Sequence, residues 1–265
     1  MQTSFDILGD VHGQLDALTA ILDQLGYQRR KGVYFAPTNR QLISVGDVIN
    51  KGPYPLECLE LIADMVKVRQ AQMIIGNHEI NAIHYQAGFR ARNAATTKQF
   101  SPTLAQIEKD SSRWQRMEEF ILSLPNRLEL DSGRLRVVHA HWPNASFPHQ
   151  IDSTLVEDSG LGGPLHADLQ EMVKGPEAPS EPYVDRQGYE RTRDRIRWWD
   201  TYPEDEPFIA FGHYCFPWPH EPSIPNQPTL LGPGKNAACL DFGAGNGDRL
   251  VALRYPEMEF VTVHV

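Results

Sequence analysis

Carboxylate, imidazole and amide side chains recur in three short, glycine-bounded segments of this sequence. The segments are Gly9-Asp10-Val11-His12-Gly13, Gly46-Asp47 and the residues up to Gly52, and Gly76-Asn77-His78-Glu79. Two later apolar runs end in a similar way, at His139 and at Gly212-His213. Oxygen and imidazole ligands without a thiolate are typical of Mn, Fe or Zn bound in an open site. The sequence therefore predicts a metal centre.

Asp47 is the natural bridge between two cations, because a carboxylate can give one oxygen to each. Two cations about 3.5–4 Å apart can activate a water molecule and stabilise both the attacking and the leaving oxygen of a phosphoryl displacement. Each segment alone has a plainer interpretation, since Asp-x-His after a strand is common in turns and Asn77 with Glu79 can cap a helix. Five such segments, each after an apolar run, favour the metal centre.

The elements that must position these groups alternate between strand and helix in the first half of the chain. Predicted strands cover 5–9 and 72–75, and predicted helices cover 15–25 and a segment that starts near Pro53 or Pro55. Two apolar runs within 33–45 flank a turn and predict a hairpin. The spacing predicts parallel strands joined by crossover helices, and in an open sheet of this kind ligands bind at the carboxyl ends of the strands.

The second half returns to strands after a long segment, about residues 80–124, that is predicted to be helical. Fourteen of the 20 prolines lie between Pro143 and Pro233, so we expect long non-helical loops at about 142–207 and 215–236. Within the first loop, arginines and acids are mixed around residues 185–200 and predict a solvated helix. We expect one domain over residues 1–265, with the helical segment as an insertion.

Composition and charge exclude several other classes of protein. The apolar fraction of 41% in 265 residues is that of a globular protein, and no apolar run approaches the ~18 residues of a membrane-spanning helix. The net charge of −9 disfavours binding to extended nucleic acid. The three cysteines are scattered, and Met1–Asp6 lacks the features of a signal peptide. We therefore expect a cytoplasmic protein that does not bind membranes, and its oligomeric state stays open.

The segments that carry the predicted ligands also resemble a known family. The series from Gly9-Asp10-Val11-His12-Gly13 through Gly46-Asp47, Gly76-Asn77-His78-Glu79 and His139 to Gly212-His213 is similar to the motifs of calcineurin-like metallophosphoesterases. The similarity is greatest to the branch of Ser/Thr protein phosphatases and bacterial diadenosine tetraphosphatases. The resemblance implies an α/β (α+β) fold, a two-sheet β-sandwich flanked by helices. Strand–helix alternation alone predicts an open sheet instead. It also implies hydrolysis of phosphoester or phosphoanhydride bonds by a hydroxide activated at a dinuclear metal centre.

The resemblance assigns roles to individual residues. The cofactor is expected to be two divalent cations, with Mn preferred and Fe or Zn compatible. Besides the bridging Asp47, five residues would be ligands: Asp10 and His12 for the first cation, and Asn77, His139 and His213 for the second. Asn77 is also expected to contact the substrate phosphate. His78 would act as the general acid on the leaving oxygen, a role worth roughly 10²–10⁴-fold in rate.

The sequence departs from the family pattern at Asn50-Lys51, where Asp-Arg is usual. The usual Asp orients and charges the histidine that corresponds to His78, whereas the amide of Asn50 can orient an imidazole but stabilises imidazolium less well. The usual Arg binds phosphate through two hydrogen bonds, whereas Lys51 offers a point charge. We therefore expect Asn50 to assist His78 in catalysis with slower turnover, and Lys51 to bind phosphate. Arg197, just before Trp198-Trp199-Asp200, is the expected second phosphate ligand.

Several alternatives stay open at this point. The substrate is either a phosphomonoester, such as a phosphoprotein, or a dinucleoside polyphosphate. The alternative to an enzyme is a catalytically weakened metal-binding module that recognises a partner, for which Asn50 and Lys51 are the only support. His141 is either a ligand or a group behind the ligands. Four aromatic residues either stack on a nucleobase or pack at the rim of the site: Trp142, Tyr214, Phe216 and Trp218.

Overall fold

Two β-sheets and the helices beside them make up the described part of the protein. The computed structural model describes residues 4–184, 190–217 and 226–265, apart from the side chains of Ala95 and Gln99. Residues of both sheets contribute to one apolar core. The arrangement confirms the two-sheet fold that the resemblance implies, and the open single sheet predicted from strand–helix alternation is wrong.

The larger sheet has six strands: β1 (Ser4–Leu8), β4 (Arg40–Ser44), β5 (Ala71–Met73), β12 (Asp241–Phe242), β13 (Arg249–Tyr255) and β14 (Glu259–His264). Their order is β12-β13-β1-β4-β5, and β14 pairs with β13. Strands β1, β4 and β5 are parallel, as the crossover spacing predicts. Their carboxyl ends therefore lie at one edge of the sheet.

The smaller sheet has four strands: β6 (Arg127–Leu130), β7 (Leu135–Val138), β10 (Phe208–Phe211) and β11 (Ala237–Cys239). Their order is β11-β10-β7-β6, and β7 and β10 are parallel. The ring centroids of Phe208 on β10 and Tyr255 on β13 lie 6.1 Å apart, so the two sheets are in contact. Both sheets therefore contain parallel strands, and the two sheets pack against each other.

The helices of the first half follow the apolar periodicity of the sequence. Helix α1 (Leu15–Gln24) lies between β1 and β4 in the chain and buries Leu18, Ile21 and Leu22, and helix α2 (Pro55–Lys67) lies between β4 and β5. Proline in the first turn of α2 loses no helical hydrogen bond. Three further helices follow β5: α3 (Asn77–Ala87), α4 (Ala94–Lys109) and α5 (Ser111–Leu122). Across the described ranges, every helix is too short or too polar to span a bilayer.

The predicted hairpin within 33–45 is wrong in its pairing. Strand β3 (Val33–Phe35) pairs with β2 (Gln28–Arg30), and β4 joins the larger sheet. Lys31 and Gly32, with φ of 50° and 90°, make the two-residue turn of this hairpin. Positive φ at both central residues suits the twist of a tight hairpin. The hairpin therefore forms around Lys31-Gly32 and not around the turn that begins at Pro37.

The predicted non-helical loop over 142–207 is also wrong in part. It contains α6 (Val156–Ser159), α7 (His166–Lys174) and a hairpin of β8 (Glu177–Val184) with β9 (Glu190–Arg195). The helix predicted around 185–200 is instead strand β9 over Glu190–Arg195, because its arginines recur at every second residue, the period of a strand face. A short 3₁₀ helix at Trp198–Thr201 follows. In the second predicted loop, Trp218 and the residues up to 225 lie outside the described residues. The prediction of one domain over residues 1–265 stays a prediction.

Candidate metal centre

The predicted metal ligands lie at the carboxyl ends of strands from both sheets. Asp10 follows β1 and Asp47 follows β4, while His139 follows β7 and His213 follows β10. Asn77 begins α3 shortly after β5. Because these strand ends converge, the six side chains predicted as ligands form one cluster that is almost wholly buried.

Asp47 lies at the centre of this cluster. Its Oδ1 is 3.4 Å from Nε2 of His139. Its Oδ2 is 3.7 Å from Nε2 of His12 and 3.9 Å from Nε2 of His78. Two groups of potential ligands share this carboxylate: His12, Asp47 and His78, and Asp47, His139 and His213. Oδ1 lies nearest to His139 and Oδ2 lies nearest to His12 and His78, so the two oxygens face different imidazoles, as a bridging carboxylate requires.

Asp10 and Asn77 supply the other oxygen atoms of the cluster. Asp10 accepts the backbone N–H of His213 at 3.1 Å, and its Oδ2 is 3.9 Å from Nε2 of His12. The amide of Asn77 lies 3.0 Å from Nε2 of His139 and 2.7 Å from Nδ1 of His213. In one orientation the amide nitrogen donates to these atoms, and in the other its oxygen can share a cation with them. Both residues lie where the sequence predicts ligands.

Backbone carbonyls orient two of the imidazoles toward Asp47. Nδ1 of His12 lies 3.1 Å from the carbonyl of Ile49, and Nδ1 of His139 lies 2.7 Å from the carbonyl of Val45. A ring that donates Nδ1–H to a carbonyl leaves the lone pair of Nε2 available, which is the usual arrangement of a histidine ligand. With the carboxylate and amide oxygens, this donor set fits divalent cations.

Burial and mutual charge shift the pKa values within the cluster. Burial opposes a charge on His139, but the carboxylates of Asp47 and Asp10 outweigh it and raise its pKa to about 10. Burial also opposes ionisation of Asp47, yet the positive charges of His139 and His78 hold the pKa of that carboxyl well below its usual value. Burial, with the charge of Asp241, raises the pKa of Asp10. The cluster thus favours positive charge at its centre, where a divalent cation can replace the proton on His139.

Strained backbone conformations also occur in these segments. Five of their residues have φ in the left-handed region: His12 (49°), Asp47 (53°), Asn50 (70°), Lys51 (60°) and His213 (69°). Such conformations are uncommon outside glycine and cost of order 1–3 kcal/mol each. The fold therefore holds strain at the positions where the predicted ligands and their neighbours converge.

Two motif glycines are required by the close approach of neighbouring segments. A Cβ at Gly212 would lie 2.0 Å from Oδ1 of Asp10. A Cβ at Gly46, where φ is 90°, would lie 2.5 Å from the backbone nitrogen of Gly76. Any larger side chain would displace Asp10 or separate two segments that carry ligands. These glycines therefore allow the cluster to form.

Glu79 holds the segment that carries Asp47. Its buried carboxylate accepts the backbone N–H groups of Asp47 at 2.8 Å, Val48 at 2.7 Å and Ile49 at 3.2 Å. It also accepts the N–H of Gly76 at 3.1 Å, which closes the first turn of α3. The sequence predicts only this last contact, because the other three join residues about 30 positions apart.

Glu79→Ala is expected to lower the free energy of unfolding by at least about 3 kcal/mol, because each buried N–H left without an acceptor costs about 1–3 kcal/mol. Glu79→Gln keeps one carbonyl oxygen and should lose roughly half as much. Urea unfolding of the three proteins measures both changes. A Glu79→Ala protein as stable as the wild type would show that the hydrogen bonds of Glu79 do not contribute to the free energy of unfolding.

Asn50 and Thr103 orient His78. Nδ1 of His78 lies 2.9 Å from Nδ2 of Asn50, and Oδ1 of Asn50 accepts the hydroxyl of Thr103 at 2.5 Å. An amide nitrogen only donates, so Nδ1 accepts and the ring hydrogen lies on Nε2, which faces Asp47. Burial lowers the pKa of His78 to about 4. Sequence analysis missed Thr103, which lies inside α4 with no motif around it.

The other predicted site residues differ in position: Lys51 contacts the cluster, whereas Arg197 and His141 each pair with an acidic residue. Nζ of Lys51 lies 2.9 Å from Nε2 of His12, within the cluster. Arg197 forms an ion pair of 2.8 Å with Asp200. His141 directs Nδ1 to Glu171 at 3.2 Å, away from the cluster, which favours a role other than a ligand.

The aromatic residues beside the ligands pack against the protein. Tyr214 and Phe216 are buried, and both rings contact Trp199. The guanidinium of Arg136 covers the ring of Trp142 at 5.0 Å. Packing is therefore favoured over nucleobase stacking for these three, while Trp218 lies outside the described residues.

Two sheets that bring carboxylate, amide and imidazole groups to one edge define a metallophosphoesterase, a class of hydrolase. The family described as calcineurin-like phosphoesterase matches residues 3–230. The chain belongs to this family, as its motifs predict. The family, together with two ligand groups that share Asp47, indicates a dinuclear metal site.

Similar proteins cover almost the whole chain. A protein of Halalkalibacterium halodurans named bis(5'-nucleosyl)-tetraphosphatase PrpE (asymmetrical) is 29% identical over 264 residues, which is 98% of this chain and 93% of the relative. A protein of the same name from Bacillus thuringiensis is 30% identical over 267 residues, with the same coverage.

Solved structures share the fold at low sequence identity. A cold-active protein-tyrosine phosphatase of a psychrophilic Shewanella species has a TM-score of 0.60 and 13% identity, over 99% of this chain and 80% of that one. A protein serine/threonine phosphatase from Saccharomyces cerevisiae has a TM-score of 0.55 and 12% identity, over 99% and 79%. At such identities the likeness shows the fold alone.

Proposed function

We propose that this metallophosphoesterase hydrolyses phosphoanhydride bonds of dinucleoside polyphosphates with two divalent cations, Mn being preferred over Fe or Zn. The observation that carries the two-cation part is Asp47, whose two oxygens face different imidazoles and which belongs to both groups of potential ligands. The substrate class is supported by relatives named as tetraphosphatases that match almost the whole chain. Family membership and the full donor set favour an enzyme over the alternative of a partner-binding module.

We assign a separate set of ligands to each cation. Asp10 and His12 would hold the first cation, Asn77, His139 and His213 would hold the second, and Asp47 would be a ligand of both. When bound, two such cations polarise the phosphate oxygens and activate water for attack on phosphorus. The backbone carbonyls behind His12 and His139 fix the direction of their Nε2 lone pairs.

The remaining site residues act on the substrate. In its imidazolium form His78 would give the proton of Nε2 to the leaving oxygen and keep the hydrogen on Nδ1. Asn50, held by Thr103, would turn its amide so that Oδ1 accepts that hydrogen. Lys51, whose ammonium reaches Nε2 of His12, contacts a phosphate oxygen, and Asn77 contacts another. Arg197 is retained as a weaker candidate for phosphate binding, because Asp200 already pairs with it.

A comparison of two substrates tests this proposal. The purified protein with Mn²⁺ is assayed on diadenosine tetraphosphate and on a phosphoserine peptide, with a chelator-treated sample as the control. We expect kcat/KM for diadenosine tetraphosphate to be at least about 100-fold higher, equivalent to about 2.7 kcal/mol in the transition state. The reverse ranking would identify a protein phosphatase and contradict the proposal.

Asn50→Asp is expected to raise kcat by up to roughly tenfold and to extend activity to higher pH. A carboxylate at this position stabilises protonated His78, which raises its pKa and keeps the acid form at higher pH. The pH dependence of kcat for both proteins measures the effect, with Thr103→Ser as a control that keeps the hydroxyl. Unchanged kcat and an unchanged pH profile in Asn50→Asp would show that the amide does not limit His78.

We also propose a cytoplasmic location. The three cysteines, all within the described residues, form no disulfide. Unpaired cysteines are typical of proteins in reducing compartments. A fusion of the whole chain to a fluorescent protein, imaged in a bacterial cell, tests this directly, and a periplasmic signal would contradict it.

A further inference from the structure

Lys174 is a partly buried cation, and among the described residues no acid forms an ion pair with it. It is the last residue of α7, and among the described residues its ammonium makes no hydrogen bond or ion pair. Burial and the positive charge of Arg90 lower its pKa to about 8, while the charge of Glu177 acts in the opposite direction. The end of a helix stabilises a cation by about 0.3–1 kcal/mol, less than burial of an unpaired charge costs.

Arg195 lies beside the same part of the metal centre. Its guanidinium is 5.6 Å from the ring centroid of Tyr214, the residue after His213. The segment that carries Lys174 lies against the same tyrosine, because a Cβ on the next residue, Gly175, would clash with Oη of Tyr214. Nε2 of His213 is buried without a hydrogen-bond partner among the described residues. Lys174 and Arg195 are therefore both close to Tyr214, the residue that follows His213.

Arg90 extends this group of cations toward His78. Its Nη1 donates to Oδ1 of Asn81 at 2.5 Å, and no acid pairs with it in the described ranges. It lines a cleft together with His78 and Asn50. Arg90 follows α3 by three residues, and α3 contacts α7, the helix that ends at Lys174.

The neighbouring arginines are neutralised, which sets these three cations apart. Arg193, on the same strand as Arg195, lies 3.7 Å from the carboxylate of Glu177 and donates to its backbone carbonyl at 2.6 Å. Arg197 pairs with Asp200. In a protein with a net charge of −9, three cations that form no ion pair within residues 4–184, 190–217 and 226–265 are an arrangement that a bound anion would stabilise.

We propose that Arg90, Lys174 and Arg195 form a subsite for the phosphates of a polyphosphate chain that lie beyond the phosphate at the metal centre. The proposal rests on the proposed function and adds to it the residues that select a polyphosphate over a phosphomonoester. Arginine binds phosphate oxygens through paired N–H groups, and lysine adds a point charge. A phosphomonoester has no second phosphate to reach these groups.

Paired kinetics on two substrates test the subsite. The double variant Lys174→Met with Arg195→Gln keeps most of the side-chain volume and removes two charges. Its loss in kcat/KM for diadenosine tetraphosphate should exceed its loss for p-nitrophenyl phosphate by at least about 30-fold, because each charged hydrogen bond contributes about 1.5–3 kcal/mol. The matched control is Arg193→Gln on the same strand, which should stay within about threefold of wild type on both substrates. Equal losses on both substrates, or no loss, would overturn the subsite.

Inhibition by inorganic tripolyphosphate separates failure of the subsite from failure of the proposed function. It is measured against p-nitrophenyl phosphate hydrolysis at constant free Mn²⁺, with orthophosphate as the reference inhibitor. The double variant should weaken inhibition by tripolyphosphate at least about 30-fold more than inhibition by orthophosphate. This result would support the subsite even if the wild type failed to cleave diadenosine tetraphosphate. A parallel change for both inhibitors would overturn the subsite even if that substrate were cleaved.

Discussion

Asp47→Asn is expected to reduce metal-dependent hydrolysis by at least about 10³-fold, because the bridging carboxylate is the one group shared by both ligand sets. An amide keeps the shape of the side chain but loses its charge and one of its two acceptor oxygens. A 10³-fold loss corresponds to about 4 kcal/mol of transition-state stabilisation. Turnover of p-nitrophenyl phosphate with saturating Mn²⁺ measures it.

Asp6→Asn is the matched control for this change. Asp6 lies on β1, is equally buried and pairs with Arg40, away from the metal ligands. The same isosteric change there should leave turnover within about threefold of wild type. Activity retained in Asp47→Asn would remove the basis for two cations that share one carboxylate.

His78→Ala is expected to lower kcat roughly 10²–10⁴-fold on phenyl phosphate, whose leaving oxygen needs a proton. The effect should be much smaller on p-nitrophenyl phosphate, whose leaving group is stable as an anion. The structure makes this test necessary, because His78 belongs to one of the two groups of potential ligands, with Nε2 3.9 Å from Asp47.

Metal content shows whether His78 acts as the general acid or as a metal ligand. A general acid can be removed while bound metal stays near the wild-type amount, so His78→Ala should retain it. Loss of one metal ion per chain, with equal losses of activity on the two esters, would make His78 a ligand and not an acid.

The clustering of the ligands could be predicted because it depends on local order along the chain. Each segment from Asp10 to His213 follows a strand, and parallel strands bring their carboxyl ends to one edge. The glycines of these segments can also be found from the local sequence, but the contacts that require them join distant parts of the chain. Gly212 is needed because Asp10, about 200 residues earlier, occupies the space of its Cβ.

Residues that act through long-range contacts could not be predicted. Thr103 on α4 reaches Asn50 in the loop after β4, and the hydrogen bonds of Glu79 to that loop depend on how α3 is docked. Counting charges around residues 185–200 predicts a mixed, solvated helix. In the part of the chain that the structure describes, Glu177 pairs with Arg193 and Asp200 with Arg197, and no acid forms an ion pair with Arg195.

The metal stoichiometry of the purified wild-type protein tests the central claim most directly. After removal of metal and equilibration with excess Mn²⁺, unbound metal is removed and bound Mn is measured by mass spectrometry against protein concentration. The two ligand groups that share Asp47 predict about two Mn per chain, and about two would support the bridging role of this carboxylate. A value of one or fewer at saturation would contradict it.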